Sequence, residues 1–141
     1  MRILMVSDVY YPRVNGVSTS IKTFRDSLSG LGVDTTLIAP SYNQIKQVEY
    51  DADDDLLRVP ARSIIFDPED RILSKGKHEY AQILEFIKSN KYDLVHIQTP
   101  FVAHYLGKRL AKYFRIPVIE TYHTFFEEYF YNYIPFLPKS W

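Results

Sequence analysis

The sequence predicts an α/β sandwich built on a mostly parallel sheet, and three observations carry that prediction. Strand-length apolar runs alternate with amphipathic helical stretches from one end of the chain to the other, the pattern of successive βαβ units. The runs RILMVS, VDTTLIAP and YDLVHIQT are rich in apolar residues over a strand's length, as expected of strands covered on both faces. The stretches between them repeat apolar residues every three or four positions, which draws one stripe on a helix. At 141 residues the chain has the length of one domain with one core.

Residues 2–7, RILMVS, form the first strand. A long loop leads to Gly16, after which Val17, Ile21, Phe24, Leu28 and Leu31 mark a helix that Gly32 ends in the C′ position. VDTTLIAP, residues 33–40, is the second strand, closed by Pro40, so residues 2–39 read as a right-handed βαβ crossover with parallel pairing. Residues 41–72 mix short apolar pieces, LLRV and SIIF, with acidic and turn residues. Within them Asp51, Asp53, Asp54 and Asp55 lack the ordered spacing of a cation-binding loop and read as a solvated turn. A second helix is expected over 77–91, with Tyr80, Ile83, Leu84 and Ile87 on one face and Asn90 near its end. YDLVHIQT is a buried strand, Pro100 opens a third helix striped by Val102, Leu106, Leu110 and Phe114, and IPVIETYH is the last strand.

Composition removes several function classes. Lys plus Arg and Asp plus Glu both number 17, so no overall basic field gathers nucleic acid. The absence of cysteine excludes disulfides and thiolate metal sites, in keeping with a reducing cytoplasm. The N-terminus lacks a secretory apolar region followed by a small-residue cleavage site. No stretch approaches the roughly 20 apolar residues that span a bilayer, so any membrane contact is expected to be peripheral. The aromatic share is 16%, and Tyr and Phe concentrate in YHTFFEEYFYNYIPFLPKSW, which reads as core or interface.

In open α/β sheets, ligands bind beyond the carboxyl ends of the strands. The loops leaving those ends carry Asp8, Tyr10, Asn15 and Gly16, then Thr99 and Pro100, then Tyr122, His123 and Thr124. Gly16, with Val17 and Ser18 behind it, opens a helix, where free N–H groups and the missing Cβ favour a phosphate; alternatively Gly16 only permits a turn that Ser18 caps. Neither a G-x-G-x-x-G fingerprint nor a Walker lysine is present, which argues against an NAD enzyme or a P-loop ATPase. His123, directly after a strand, either donates to a sugar hydroxyl or oxyanion or only holds its own turn. His96, mid-strand between Val95 and Ile97, reads first as a core histidine bonded to a carbonyl and second as a site residue. His78 and His104 fall on helices and are expected to face solvent. The four histidines show no metal-ligand spacing with carboxylates. Glu127 and Glu128 are adjacent on an expected helix, point to different faces, and cannot straddle one bond.

Taken together, RILMVSDVYYPRVNGVSTSI, DLVHIQTPF and IPVIETYHTFFEEYFYNYIP resemble, in order and spacing, the N-terminal domain of retaining GT-B glycosyltransferases. These use sugar nucleotides and have two Rossmann-like domains. The resemblance is closest to the branch holding glycolipid synthases and phosphatidylinositol mannosyltransferases. It implies a Rossmann-like three-layer sandwich, with residues 1–141 as the acceptor-side domain and a separate sugar-nucleotide domain lacking from this stretch. It implies Gly16 and Val17 as donors to the distal phosphate of the sugar nucleotide and His123 as the catalytic histidine at the donor sugar. Asp8, Tyr10, Asn15, Thr99 and Thr124 are expected to line the acceptor side. The implied reaction moves a hexose from a nucleotide-diphosphate sugar to a lipid or sugar acceptor with retention, without a metal or other cofactor. A cytoplasmic location is expected, at the inner face of the membrane if peripheral contact occurs. The family often has H-x-H-T-P where this chain has His96-Ile97-Gln98-Thr99-Pro100, so the role of position 98 is open. The rival expectation is a flavodoxin-like or receiver-like binding module without catalysis, or an adaptor that uses the aromatic tail as its interface.

Overall fold

β1 (Arg2–Val6) buries four of its five residues, because it lies inside the sheet with a strand on each side and cover on both faces. The computed structural model describes residues 1–63, 71–73, 76–121 and 123. β2 (Asp34–Pro40) and β7 (Leu94–Ile97) flank β1 in parallel register, with Ile3 opposite both Thr35 and Leu94. β4 (Leu56–Val59) continues parallel beyond β2, β3 (Glu49–Asp51) closes that side antiparallel, and β8 (Val118–Glu120) is the parallel strand at the other edge. The order is therefore β3-β4-β2-β1-β7-β8, a mostly parallel sheet. A separate two-stranded ladder pairs β5 (Ala61–Ser63) with β6 (Arg71–Leu73). LLRV is β4, whereas all of SIIF after Ser63 lies outside the described residues.

Side chains alternate across a strand, and here the alternation builds two cores. Ile3, Met5, Leu37, Ala39 and Leu56 pack on α1 (Gly16–Gly30), while Leu4, Val6, Ile38, Leu57, Val95 and Ile97 pack under α2 (Lys77–Ile87) and α3 (Val102–Phe114). This is the expected Rossmann-like three-layer arrangement. Leu31 caps α1, and Gly32 follows it at φ 78°; Gly32 N donates to Ser29 O and Val33 N to Leu28 O, a Schellman ending that the left-handed glycine makes possible.

Several expected faces shift. On α1 the buried residues are Val17, Ser18 and Ile21, while Phe24 and Leu31 are exposed. The second helix ends at Ile87 rather than 91. On α3 the fully buried face includes Ala103, Gly107 and Ala111 beside Val102 and Leu110, with Leu106 and Phe114 only partly covered. The four aspartates form the β3–β4 turn: Asp51 Oδ1 accepts from the N–H groups of Asp53 and Asp54, and the Asp55 carboxylate accepts from Thr36 and Tyr50. His104 does not simply face solvent, because its Nδ1 lies 2.5 Å from Glu120 Oε1 on β8.

Candidate functional site

The strand order reverses between β1 and β7: the chain leaves β1 for α1 on one face and leaves β7 for α3 on the other. That switch point is where an open α/β sheet offers a crevice.

Asp8 fastens the crevice floor. Its Oδ2 accepts from Thr99 Oγ1 at 2.6 Å and from Phe101 N at 3.2 Å, its Oδ1 accepts from Ala103 N at 3.0 Å, and its own N–H donates to Thr99 Oγ1 at 2.7 Å. The α3 N-terminus has no cap from its own flanking side chain, and Asp8 supplies one from across the sheet. Burial pushes the carboxyl up to about 6, although the Thr99 hydroxyl and the α3 amides pull it down. Asp8 and Thr99, expected to line the acceptor side, are thus both buried and engaged with each other.

Tyr10 is also buried, with its ring under the Arg58 guanidinium at 5.6 Å and edge-on to Tyr11. Arg58 further donates to Tyr11 O and Pro40 O, so the loop after β1 is tied to β2 and β4. At the start of α1, Asn15 rather than Ser18 is the cap: its Oδ1 accepts from Ser18 N at 2.9 Å, and its carbonyl accepts from Thr19 N. Gly16 is exposed, Val17 is buried, and the N–H groups of both find no acceptor among the described residues. The Ser18 hydroxyl, buried beneath them, has no partner there either.

His123 is half-buried, and its Nε2 lies 3.3 Å from Gln98 Oε1. The Gln98 amide nitrogen faces His96 Nδ1 at 3.2 Å, and His96 Nε2 lies 2.6 Å from Thr121 Oγ1. His96 is a core histidine as expected, but its partners are side chains and not a main-chain carbonyl. Burial lowers the pKa of both imidazoles, and the neighbouring His123 lowers that of His96 further. Gln98 was the member of this site whose role the sequence left open. Tyr122, Thr124, Glu127, Glu128 and the aromatic tail lie outside the described residues. Among the described residues no three His, Asp or Glu side chains gather as a metal site, and no helix is long and apolar enough to cross a membrane.

The fold and crevice define a Rossmann-like domain with a polar switch-point site. The family model for glycosyltransferase family 4 matches residues 14–141, and the chain belongs to that family, which sets aside the flavodoxin-like and adaptor expectations. It is 33% identical over 129 residues to an alpha-monoglucosyldiacylglycerol synthase of Streptococcus pneumoniae, covering 92% of this chain and 28% of that protein. A protein of the same description from Acholeplasma laidlawii is 31% identical over 132 residues, covering 92% and 31%. A GDP-mannose-dependent alpha-mannosyltransferase of Corynebacterium glutamicum is 26% identical over 125 residues, covering 88% and 29%. The chain spans under a third of the length of these curated relatives.

Proposed function

We propose that residues 1–141 are the N-terminal, acceptor-side domain of a GT-B glycosyltransferase that moves a hexose from a nucleotide-diphosphate sugar to a lipid or sugar acceptor with retention of configuration. The observation that carries this reading is the first turn of α1. The Asn15 side chain accepts from the Ser18 N–H, and among the described residues nothing accepts from the Gly16 and Val17 N–H groups, which suits a phosphate oxygen at an exposed glycine. Negative charge that develops on the departing diphosphate is stabilised by these donors and by cationic groups of the second domain. His123 contacts the donor sugar. Asn15 faces the acceptor side, and Asp8, Tyr10 and Thr99 hold the loops after β1 and β7; Thr124, proposed for the same acceptor role, lies outside the described residues. By itself the domain lacks transferase activity, because half of the preorganised site is contributed from outside it.

A lipid acceptor draws support from an apolar cleft of about 280 Å³ between α2 and α3, lined by Tyr80, Ile83, Val102, Tyr105 and Leu106, where Arg109 stacks on Tyr80 at 3.7 Å. The outer face of α3 exposes Tyr105, Lys108, Lys112 and Tyr113, and no acidic residue occurs between Asp93 and Glu120. That face suits peripheral contact with an anionic inner leaflet from the cytoplasm.

The test is turnover by the full-length protein with nucleotide-diphosphate hexoses and diacylglycerol or glycolipid acceptors, with the anomer of the product read by NMR. His123→Ala is expected to lower kcat by roughly a hundredfold or more. Unchanged kcat in that variant, an inverted product, or turnover by residues 1–141 alone overturns the reading.

A further inference from the structure

We infer that Gln98 is a positioning residue: its buried side-chain amide holds His123 as the Nε2–H tautomer and leaves Nδ1 as that imidazole's only lone pair. The inference rests on the reading above that His123 works at the sugar nucleotide, and it adds which atom of the ring does the work and what sets it.

The chain of partners has a direction. A side-chain amide nitrogen only donates and its oxygen only accepts, while a neutral imidazole has one nitrogen of each kind. The Gln98 nitrogen lies 3.2 Å from His96 Nδ1 and 3.8 Å from Met5 Sδ. Both neighbours are acceptors of its two protons, which places the His96 proton on Nε2, where it is donated to Thr121 Oγ1 at 2.6 Å. Turning the amide over would give up the N–H donated to the thioether sulfur and set an acceptor facing an acceptor at 3.8 Å. With the nitrogen so committed, the Gln98 oxygen is the atom left at 3.3 Å from His123 Nε2, and it accepts only if that nitrogen carries the proton.

Burial fixes the arrangement. Gln98 is 3% exposed and His96 likewise 3%, so a mismatched proton between these two leaves a buried polar atom unsatisfied. The edge of the His96 ring meets Phe24, with ring centroids 5.4 Å apart, so that ring has apolar contact as well as its two polar ones. Burial also keeps both imidazoles neutral near pH 7. In this state His123 offers a hydrogen-bond acceptor at Nδ1, suited to a sugar hydroxyl, and its one N–H is already held by Gln98.

The experiment is long-range 1H–15N NMR of the histidine rings in the full-length protein across pH, with signals assigned by their loss in His123→Asn and His96→Asn. The expected spectrum shows protonated Nε2 and unprotonated Nδ1 on both rings. Gln98→Glu puts a carboxylate oxygen where the amide oxygen was and should raise the His123 titration midpoint by about one pH unit or more, a tenfold gain in proton affinity. Gln98→Met keeps the shape without the acceptor; it should mix the His123 tautomers and lower kcat roughly tenfold while donor KM changes by less than about twofold. A His123 ring protonated at Nδ1, or one whose spectrum is the same in wild type and Gln98→Met, overturns the inference. His123→Ala with undiminished kcat overturns the catalytic reading instead, and leaves the tautomer assignment standing on the NMR result.

Discussion

Asp8→Ala separates two opposing contributions of one buried carboxyl, and their sizes follow from its surroundings. Truncation orphans three donors, the Thr99 hydroxyl and the Phe101 and Ala103 N–H groups, which at about 1 kcal/mol each costs about 3 kcal/mol. Against this stands the cost of ionising the carboxyl out of water, visible as a rise from 3.8 to about 6. A group whose folded value is raised contributes stability that is fully present below the unfolded value and is lost as pH rises through the folded one. For Asp8 that window runs from 3.8 to about 6, and about 1.4 kcal/mol of the loss falls between pH 5 and pH 7.5. About 1.6 kcal/mol of the roughly 3 kcal/mol is already lost by pH 5, so the destabilisation by Asp8→Ala should shrink from about 1.4 kcal/mol at pH 5 to near zero at pH 7.5. The raw stability curve conceals this. His96 and His123 have lowered folded values, so their contribution moves the other way and is lost as pH falls through the histidine range. Both histidines remain in the variant, and the difference between the two urea-unfolding curves, followed by circular dichroism at the two pH values, isolates Asp8. A difference that stays constant or widens toward pH 7.5 refutes the reasoning.

Two further outcomes test the packing and the surface of α3. A Cβ on Gly107 would meet Ile97 Cγ1 at 2.4 Å and Cδ1 at 2.8 Å, so Gly107→Ala should lose about 1 to 2 kcal/mol net of its gain in helix propensity; urea unfolding should show that loss vanish on an Ile97→Ala background. The double variant Lys108→Glu, Lys112→Glu should weaken binding of the full-length protein to vesicles rich in phosphatidylglycerol by about tenfold or more. Equal sedimentation of both proteins with those vesicles counts against α3 as the membrane-facing surface.

The framework of the fold was legible because it depends on local pattern. RILMVS and TTLIAP are apolar enough to require cover on both faces, and the α1 stripe ends at the one glycine whose left-handed φ completes a Schellman turn. The contact face of α3 was less legible because close approach selects small residues. Ala103, Gly107 and Ala111 carry little hydrophobic signal, yet they let the helix lie against Val95 and Ile97, whereas the larger Leu106 and Phe114 sit at the margin. The contacts of Asp8 were hidden for a different reason. Its position after a strand marks a site, but its partner Thr99 is 91 positions away, and only the parallel register of β1 on β7 brings the two together.

Gln98 shows where a usable signal was present. The period of two in β7 puts Leu94, His96 and Gln98 on one face, and the same register that sets β1 beside β7 buries that face near Met5. Two polar side chains at alternate positions of a strand with neighbours on both sides cannot each find water, so they must satisfy one another and reach further partners. A histidine and an amide in that relation leave one imidazole nitrogen and one amide atom to be paired elsewhere. In this chain the first goes to the exposed Thr121 beyond β8 and the second to the half-buried His123. The pair thus relays a fixed proton arrangement from the sheet interior to the half-buried ring at the crevice, which is why a glutamine can stand in the H-x-H position: the requirement there is an acceptor for the His123 proton and a donor for His96, and an amide provides both without titrating.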